Sequence, residues 1–443
     1  MSFSISNALA RIKQDVAAAL APDAIRAASR QVGHAWRERR LDPVTTVHLF
    51  LQQVLHGNAA CAHVRHWAGK TFTAEAYCQA RARLPLALFE RLLVSTRDAL
   101  LPRDDVREEG RRTWLVDGTG FSMSDVPELR ELFGQPGGQA EGCGFPVAHL
   151  LAAFCHRTGM LLEAAVAPLR THDLADVGRL HACMRPGDVL VADRAFCSFA
   201  HLAILLAAGL HGVFRMHQRT RVDFRARRPH GGKGRPSSRW LKRLGREDQL
   251  VVAFKPKERP SWMTDEEYEA LPESITVREL RYRTSRPGFR TQVVTLATTL
   301  LDADDDPGDA LAELYGSRWR AETNLRHLKQ TMGMDVLRCR TLEGVLKEVM
   351  VYAIAYNLVC AAAAESARRQ DVEPSRISFI DALRWIAEGA DPATLDRLLV
   401  LPHRPGRYEP RVRKRRPKQF PLMQKTRKQL KEDLMKRSKE GLT

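Results

Sequence analysis

The 443-residue chain has no CxxC pair; its eight cysteines, at 61, 78, 143, 155, 183, 197, 339 and 360, are scattered. Structural zinc needs paired Cys/His spacing and a disulfide scaffold needs dense cysteine, so neither is expected and reduced thiols are the default. Long apolar runs are also missing. The longest, Val349 to Ala364, is shorter than a bilayer span and carries Asn357, which suits a buried helix. The opening residues, MSFSISNALARIKQD, lack the apolar stretch and small-residue cleavage site of a secretory signal. Internal repeats are not seen. Acids are in deficit, with 52 Asp and Glu against 70 Lys and Arg, a net charge of +18. Such a surplus points to a polyanion, nucleic acid before anionic membrane, and no membrane partner is expected.

What is present divides the chain. Apolar content of 44% is enough for a real core, and the length allows two or three domains. Residues 1–104 read as an all-helical N-terminal part. Asp42-Pro43 is a helix start, His56-Gly57-Asn58 a break, and Thr73 and Pro85 open further helices. Two readings stand level here: a DNA-binding helix-turn-helix with Gln79, Arg81 and Arg83 as exposed contacts, or a helical bundle that braces the catalytic domain. From about residue 111, TWLVDGTGFSM, FPVAHLLAAFC, MLLEAAVAPL, GDVLVADRAF and HGVFRMH read as strands, with helices around 173–184 and over Phe199 to Ala208. Strands interleaved with helices argue for an α/β sheet. Residues 219–246 then hold eleven Lys/Arg against one acid, and DQLVVAFK, ITVRELRYR and TQVVTLATTL come next as strands. Residues 218–302 thus read as a β-rich insertion with a basic edge. The tail, 401–443, adds fifteen Lys/Arg against four acids. One such run is ordinarily a solvated face, but two separate ones favour a distributed nucleic-acid surface.

Three acids stand out within this plan. Asp117 follows Trp114-Leu115-Val116, and Asp193 follows Val189-Leu190-Val191-Ala192. Both therefore leave the C-terminal end of a buried strand, where open α/β sheets place ligands. An Asp in that position is commonly only a turn former or cap. Two with matching placement mean more, because carboxylates on neighbouring strands would converge, and like charges so close need a cation between them. The third acid, Glu322, lies in Tyr315-Gly-Ser-Arg318-Trp-Arg-Ala-Glu322-Thr-Asn-Leu-Arg-His-Leu-Lys329. On a single regular helix, positions 315, 318, 322 and 329 fall within about 60° of one another. A solvent-exposed ion pair of this spacing contributes only about 0.5 kcal/mol, so stability alone gives little reason to gather these side chains. Three carboxylates with Arg and Lys nearby suit phosphoryl transfer, with hard oxygen ligands for Mg²⁺ or Mn²⁺.

The residues VDGT, VADRAF and Y-x2-R-x3-E-x6-K, in that order, resemble the DDE transposases of the insertion sequence 4 family. TTLLD and the RRPKQFP run near the end are similar as well. The resemblance implies a ribonuclease H-like core, a mixed sheet flanked by helices, with a first part over 105–217 and a last part over 303–370. The β-rich insertion separates the second and third acids, and 371–443 forms a helical and basic tail. It implies Asp117, Asp193 and Glu322 as catalytic metal ligands for two ions. Cut-and-paste transposition is implied too, acting on double-stranded DNA at terminal inverted repeats and at a target, with a homodimer pairing the two ends in the bacterial cytoplasm. Tyr315, Arg318 and Lys329 are expected at DNA, with Arg194, Trp319 and Arg326 as further candidates. His172 and His327 are candidates near the metals, with a structural role the commoner fate of a lone His. Some relatives stack a flipped base on a Trp in the insertion; Trp240 and Trp262 are there, but neither is in TQVVTLATTL, so that role has no assignee. A metal nuclease without strand transfer, and a catalytically inactive DNA binder, are the alternatives.

Overall fold

The computed structural model describes residues 18–67, 71–100, 111–137, 142–284, 292–389, 392–402 and 424–439. The RRPKQFP run and the opening residues lie outside the described residues. Five described helices precede the first strand: α1 (Pro22–Gln31), α2 (Pro43–Leu55), α3 (Cys61–Trp67), α4 (Ala74–Arg83) and α5 (Leu86–Leu100). Asp42 caps α2 by accepting from the Thr45 N–H at 2.8 Å, and Thr73 caps α4 through Ala76 at 3.1 Å. After α2 the chain turns on Gly57 and Asn58, both at positive φ, as the break at 56–58 requires. Gln79 and Arg83 are exposed on α4, but Arg81 departs from the expectation. Its guanidinium lies 3.6 Å over the Phe50 ring and donates to Gln53 (3.0 Å) and to the Cys339 sulfur (3.2 Å). Arg81 is an internal tie rather than an exposed contact.

The sheet comes next. Its strands are β1 (Thr113–Ser122), β2 (Val147–Cys155), β3 (Leu161–Pro168), β4 (Val189–Ala192), β5 (His211–Arg215), β6 (Arg239–Gly245), β7 (Asp248–Phe254), β8 (Ser274–Thr284) and β9 (Gln292–Thr298). They form one nine-stranded sheet in the order β3-β2-β1-β4-β5-β9-β8-β7-β6. The hairpins β1–β2 and β2–β3 are antiparallel, while β1, β4 and β5 run parallel. The sheet is therefore mixed, as expected from the sequence. Helix α6 (Pro127–Phe133) succeeds β1, the stretch around 173–184 is a 3-10 turn (Asp173–Ala175) and the short α7 (Val177–His181), and α8 (Phe199–Ala207) joins β4 to β5. A short helix α9 (Asp265–Glu269) interrupts the insertion strands.

The insertion continues the core sheet, because β9 pairs with β5 over Val213↔Thr298, Phe214↔Ala297 and Arg215↔Leu296. Arg278 on β8, fully buried, ties β8 to β7 and to the segment after β9 by binding Asp248 through two nitrogens and donating to the carbonyls of Asp302 and Asp306. Strand β6 lies inside the basic run, where the sequence gives no strand signal; RWLKRLG is mostly solvent-facing on both sides, so it carries no apolar alternation. Trp240 is on this edge strand, and Trp262 packs partly buried against the core.

After the insertion come α10 (Gly308–Gly316), α11 (Trp319–Arg326), α12 (Leu342–Arg369), α13 (Phe379–Glu388) and the C-terminal α14 (Arg427–Lys439). Helix α12 is long and apolar enough to cross a membrane, yet 94% of its most apolar window is buried in the protein. It packs against α2, α5, α13 and β3, so the N-terminal helices and the sheet share one core. Asn357, fully buried on α12, accepts from the Leu161 N–H (2.7 Å) and donates to the Leu161 carbonyl (2.8 Å), which fixes the helix against β3. Glu348, also fully buried, accepts from the Asn58 amide and from the backbone N–H groups of Arg338 and Cys339.

Candidate active site

The parallel pairing of β1 with β4 sets Thr113 against Val189, Trp114 against Leu190 and Leu115 against Val191. The ladder ends there, with Asp117 two residues further along β1 and Asp193 two residues further along the chain, just past the end of β4. The expectation that both acids leave a strand end holds for Asp193, which follows β4, but not for Asp117, which lies midway along β1 because Gly118 to Ser122 stay paired with β2. One Asp193 oxygen accepts from the Ala195 N–H at 2.8 Å, capping the turn at the end of β4. One Asp117 oxygen accepts from the Gly118 N–H at 2.9 Å.

Glu322 arrives on α11, which packs across β1 and β2. The regular helix assumed over 315–329 is corrected here. Helix α10 ends at Gly316, and the junction is tightened by three-residue hydrogen bonds from Arg318 to Tyr315, Arg320 to Ser317 and Ala321 to Arg318. Gly316 and Ser317 are weak helix formers, which favours the kink at this point. Beyond Arg326 the chain widens into a π-helical turn, His327–Thr331. Tyr315, Arg318 and Glu322 still meet through local contacts three and four residues apart, while Lys329 lies in the π-helical turn and is held by a tertiary contact to β1.

Arg318 is the centre of that gathering. It donates to Glu322 at 2.8 Å and lies 3.6 Å from Asp117, with its side chain only 15% exposed. The guanidinium joins the acid of β1 to the acid of α11. Burial pushes the Asp117 carboxyl up to about 6; Arg318 and the Gly118 N–H oppose the rise, and the charges of Glu322 and Asp193 add to it. Both other carboxylates therefore act on Asp117 across short range. Among the described residues no three such side chains are already drawn into a metal-holding group, and Arg318 lies between two of these acids instead. Like charges hold off from one another until a cation joins them.

Lys329 donates to the Thr119 hydroxyl at 2.9 Å. Thr119 is two residues beyond Asp117 and so on the same face of β1, which brings the ammonium to the face that carries Asp117. Burial lowers the Lys329 pKa, with Asp335 opposing. Tyr315 is buried; its phenol pKa is raised by burial and by Asp193 and lowered by Arg318, which sets it near both. A cavity of about 780 Å³ opens beside this cluster, lined by Arg157, Arg215, Arg318, Trp319, Arg320 and Tyr282 among others. Trp319 is 65% exposed at its wall. Arg194 is exposed beside Asp193, and Arg326 is exposed outside the cavity lining. His172 is engaged by its own turn, accepting from Leu174, and His327 is stacked on Phe379 at 4.2 Å with its pKa lowered to about 4 by burial and by Arg326. These contacts give both histidines structural work.

A pair with no signal in the sequence lies directly behind Asp117. His149 on β2 contacts Asp173 at 2.9 Å, and a side-chain carbon placed on Gly118 would meet His149 Nε2 at 2.8 Å and Asp173 at 3.1 Å. The two residues are far apart along the chain with no motif between them, so only the sheet brings them together. Gly118 has to be glycine because this pair fills the space its side chain would need.

Comparison with known proteins bears on this geometry. The transposase DDE domain family matches residues 108–358, more than half of the chain. The transposase InsG for insertion sequence element IS4 of Escherichia coli (strain K12) is 24% identical over 330 residues, 70% of this chain and 69% of that protein. A piggyBac transposase solved as a synaptic complex with hairpin DNA aligns over 89% of this chain and 81% of its own, with 9% identity and a TM-score of 0.45.

Proposed function

Given that the chain belongs to the transposase DDE domain family, and is therefore an enzyme of DNA phosphoryl transfer, we propose that it moves an insertion sequence by cut and paste, with Asp117, Asp193 and Glu322 as its catalytic carboxylates. The observation that carries this reading is Arg318 linking Asp117 to Glu322, with Asp193 just past the end of the neighbouring parallel strand and its charge acting on Asp117.

The donor set fits hard divalent cations. The charges of Glu322 and Asp193 both act on Asp117, whose carboxyl is raised to about 6 mainly by burial and further by those two acids. In this reading the three acids hold two Mg²⁺ or Mn²⁺ ions, which when bound supply activation of the attacking oxygen and stabilisation of the leaving one. The protein's own groups do the remaining work. Arg318 neutralises Asp117 and Glu322 in the metal-free protein, and its planar fork is matched to a DNA phosphate. Lys329, held by Thr119, supplies a fixed point charge for a phosphate oxygen. Tyr315, buried and protonated, limits how far Arg318 can swing. Trp319 and the arginines of the adjoining cavity offer a stacking face and a charged wall to a DNA strand.

The wider assignment grows from the same site. Residues 1–104 are proposed as a DNA-binding helical part, 218–302 as a basic insertion and 371–443 as a basic tail, around core parts 105–217 and 303–370. The substrates are terminal inverted repeats and target DNA in the bacterial cytoplasm, and two protomers are needed to pair two ends.

The test is a strand-transfer assay with Mg²⁺ and candidate element ends. Asp117→Asn, Asp193→Asn and Glu322→Gln are each expected to abolish cleavage while leaving DNA binding. Near-wild-type nicking by any of them removes that residue from the site. Hydrolysis without joining by the unaltered protein would make it a nuclease, and binding alone would make it an inactive DNA binder.

A further inference from the structure

A second basic groove lies at the far end of β1. The Ser122 N–H and hydroxyl both donate to the Asp335 carbonyl, at 2.9 and 3.0 Å, so the strand end is clamped to the segment after the π-helical turn. Helix α14 reaches the same place from the other end of the chain. The Asp125 side chain, 6% exposed, takes Arg130 at 3.3 Å and Arg427 at 3.8 Å. A side-chain carbon on Gly142 would meet the Thr426 methyl at 3.1 Å, so the two segments approach closely. Between them is a groove of about 1160 Å³ lined by Arg130, Arg338, Arg340, Arg427, Lys428 and Lys431, with Asp125 the single acid among the described lining residues.

A solvated charged face ordinarily mixes signs. This one does not. Asp125 engages two of the six cations, and among the described residues the side chains of Arg338, Arg340, Lys428 and Lys431 are in no ion pair. Four unpaired like charges on facing walls repel one another, and a polyanion lying between them relieves that repulsion. The walls also come from distant parts of the chain: Arg338 and Arg340 from the segment between the π-helical turn and α12, Arg427, Lys428 and Lys431 from α14.

We propose that this groove binds the backbone phosphates of duplex DNA and that α14 docks on Asp125 to complete it. The proposal rests on the transposase reading and adds where a second stretch of the same duplex lies. Five residues of extended strand separate Asp117 from Ser122, about 17 Å. At about 3.4 Å per base pair, a duplex running along β1 from the three acids presents phosphates to the groove roughly five base pairs from the scissile bond. Contacts of this kind set the position of the duplex and read no sequence.

The experiment measures binding of a fluorescent 30-base-pair duplex of random sequence (about three helical turns) to the full-length protein across a salt titration. Two double variants act on opposite walls: Arg338→Ala with Arg340→Ala, and Lys428→Glu with Lys431→Glu. Each is expected to lower the slope of log affinity against log salt by about two, with the melting temperature unchanged. Unchanged slopes in both variants overturn the groove. A fall confined to the Arg338/Arg340 variant overturns the part assigned to α14. Failure of the unaltered protein to bind the duplex at low salt would instead defeat the transposase reading, so the two failures are told apart.

Discussion

Replacing Asp117 by Asn is expected to stabilise the metal-free protein, the opposite of what a buried, hydrogen-bonded residue usually does. The Asp117 carboxyl is raised from 3.8 to about 6 by burial and by the charges of Glu322 and Asp193, despite Arg318 nearby. The sign is set by proton binding. Between pH 4 and 6 the folded protein holds this proton while the unfolded chain has released it, so stability falls as pH rises through that window and the full penalty is present above it. A shift of about two units corresponds to about 3 kcal/mol, which Asn removes because it carries no charge at any pH. Arg318 keeps its shorter contact to Glu322 in the variant. The assay is thermal melting with chelator present, from pH 4 to 8. The variant should melt several degrees above the parent at pH 7.5 and level with it near pH 4. Adding Mg²⁺ should raise the parent and leave the variant nearly unmoved, since a bound ligand stabilises only the state that holds it. A variant that melts lower than the parent at pH 7.5 would refute the crowded-carboxylate account.

Gly118→Ala should lose about 1–3 kcal/mol of stability and most cleavage, because the added methyl runs into His149 and Asp173; His149→Ala in the same chain should restore part of the stability, as double-mutant melting would show. Asn357→Ala leaves the Leu161 N–H and carbonyl buried without partners and should cost about 2–4 kcal/mol in a denaturant titration, with residual cleavage per folded molecule unaffected. Lys329→Met should slow cleavage by about 10²-fold, the scale of losing one fixed charge at a reacting phosphate, while duplex binding at low salt falls far less; equal loss of both would make Lys329 a general binding residue.

Much of the fold was legible because burial wrote it into the sequence. β1, β4 and β5 are apolar runs closed by turns, and the capped helix starts at Asp42 and Thr73 are local chemistry that tertiary contacts did not override. β6 was hidden for the converse reason: an edge strand facing solvent on both sides, rich in Arg and Lys, looks like a charge run. Asp193 and Glu322 could be named as candidates from a strand end and a fixed-spacing motif, and Asp117 from an apolar run whose strand continues past it. The tightened turn after Gly316 and the π-helical turn that carries Lys329 are products of packing that spacing alone does not encode. Arg81 misled in the same way, since an Arg on a short helix gives no sign that Phe50 and Cys339 will enclose it. The His149–Asp173 contact spans two strand connections and leaves no local trace.

The joint between β5 and β9 is only three residue pairs long, yet the shape of the cavity beside the acids depends on it. One wall of that cavity comes from the core and the other from Tyr282 and Val294 on β8 and β9, which are anchored across this joint. Because strand side chains alternate between faces, sliding β9 by a single residue would turn Val294, and Tyr282 with it, to the opposite side of the sheet. The width of this cavity is therefore fixed by alignment at a short splice, and substitutions at Thr298, Ala297 or Leu296 should change its shape without touching any residue that lines it.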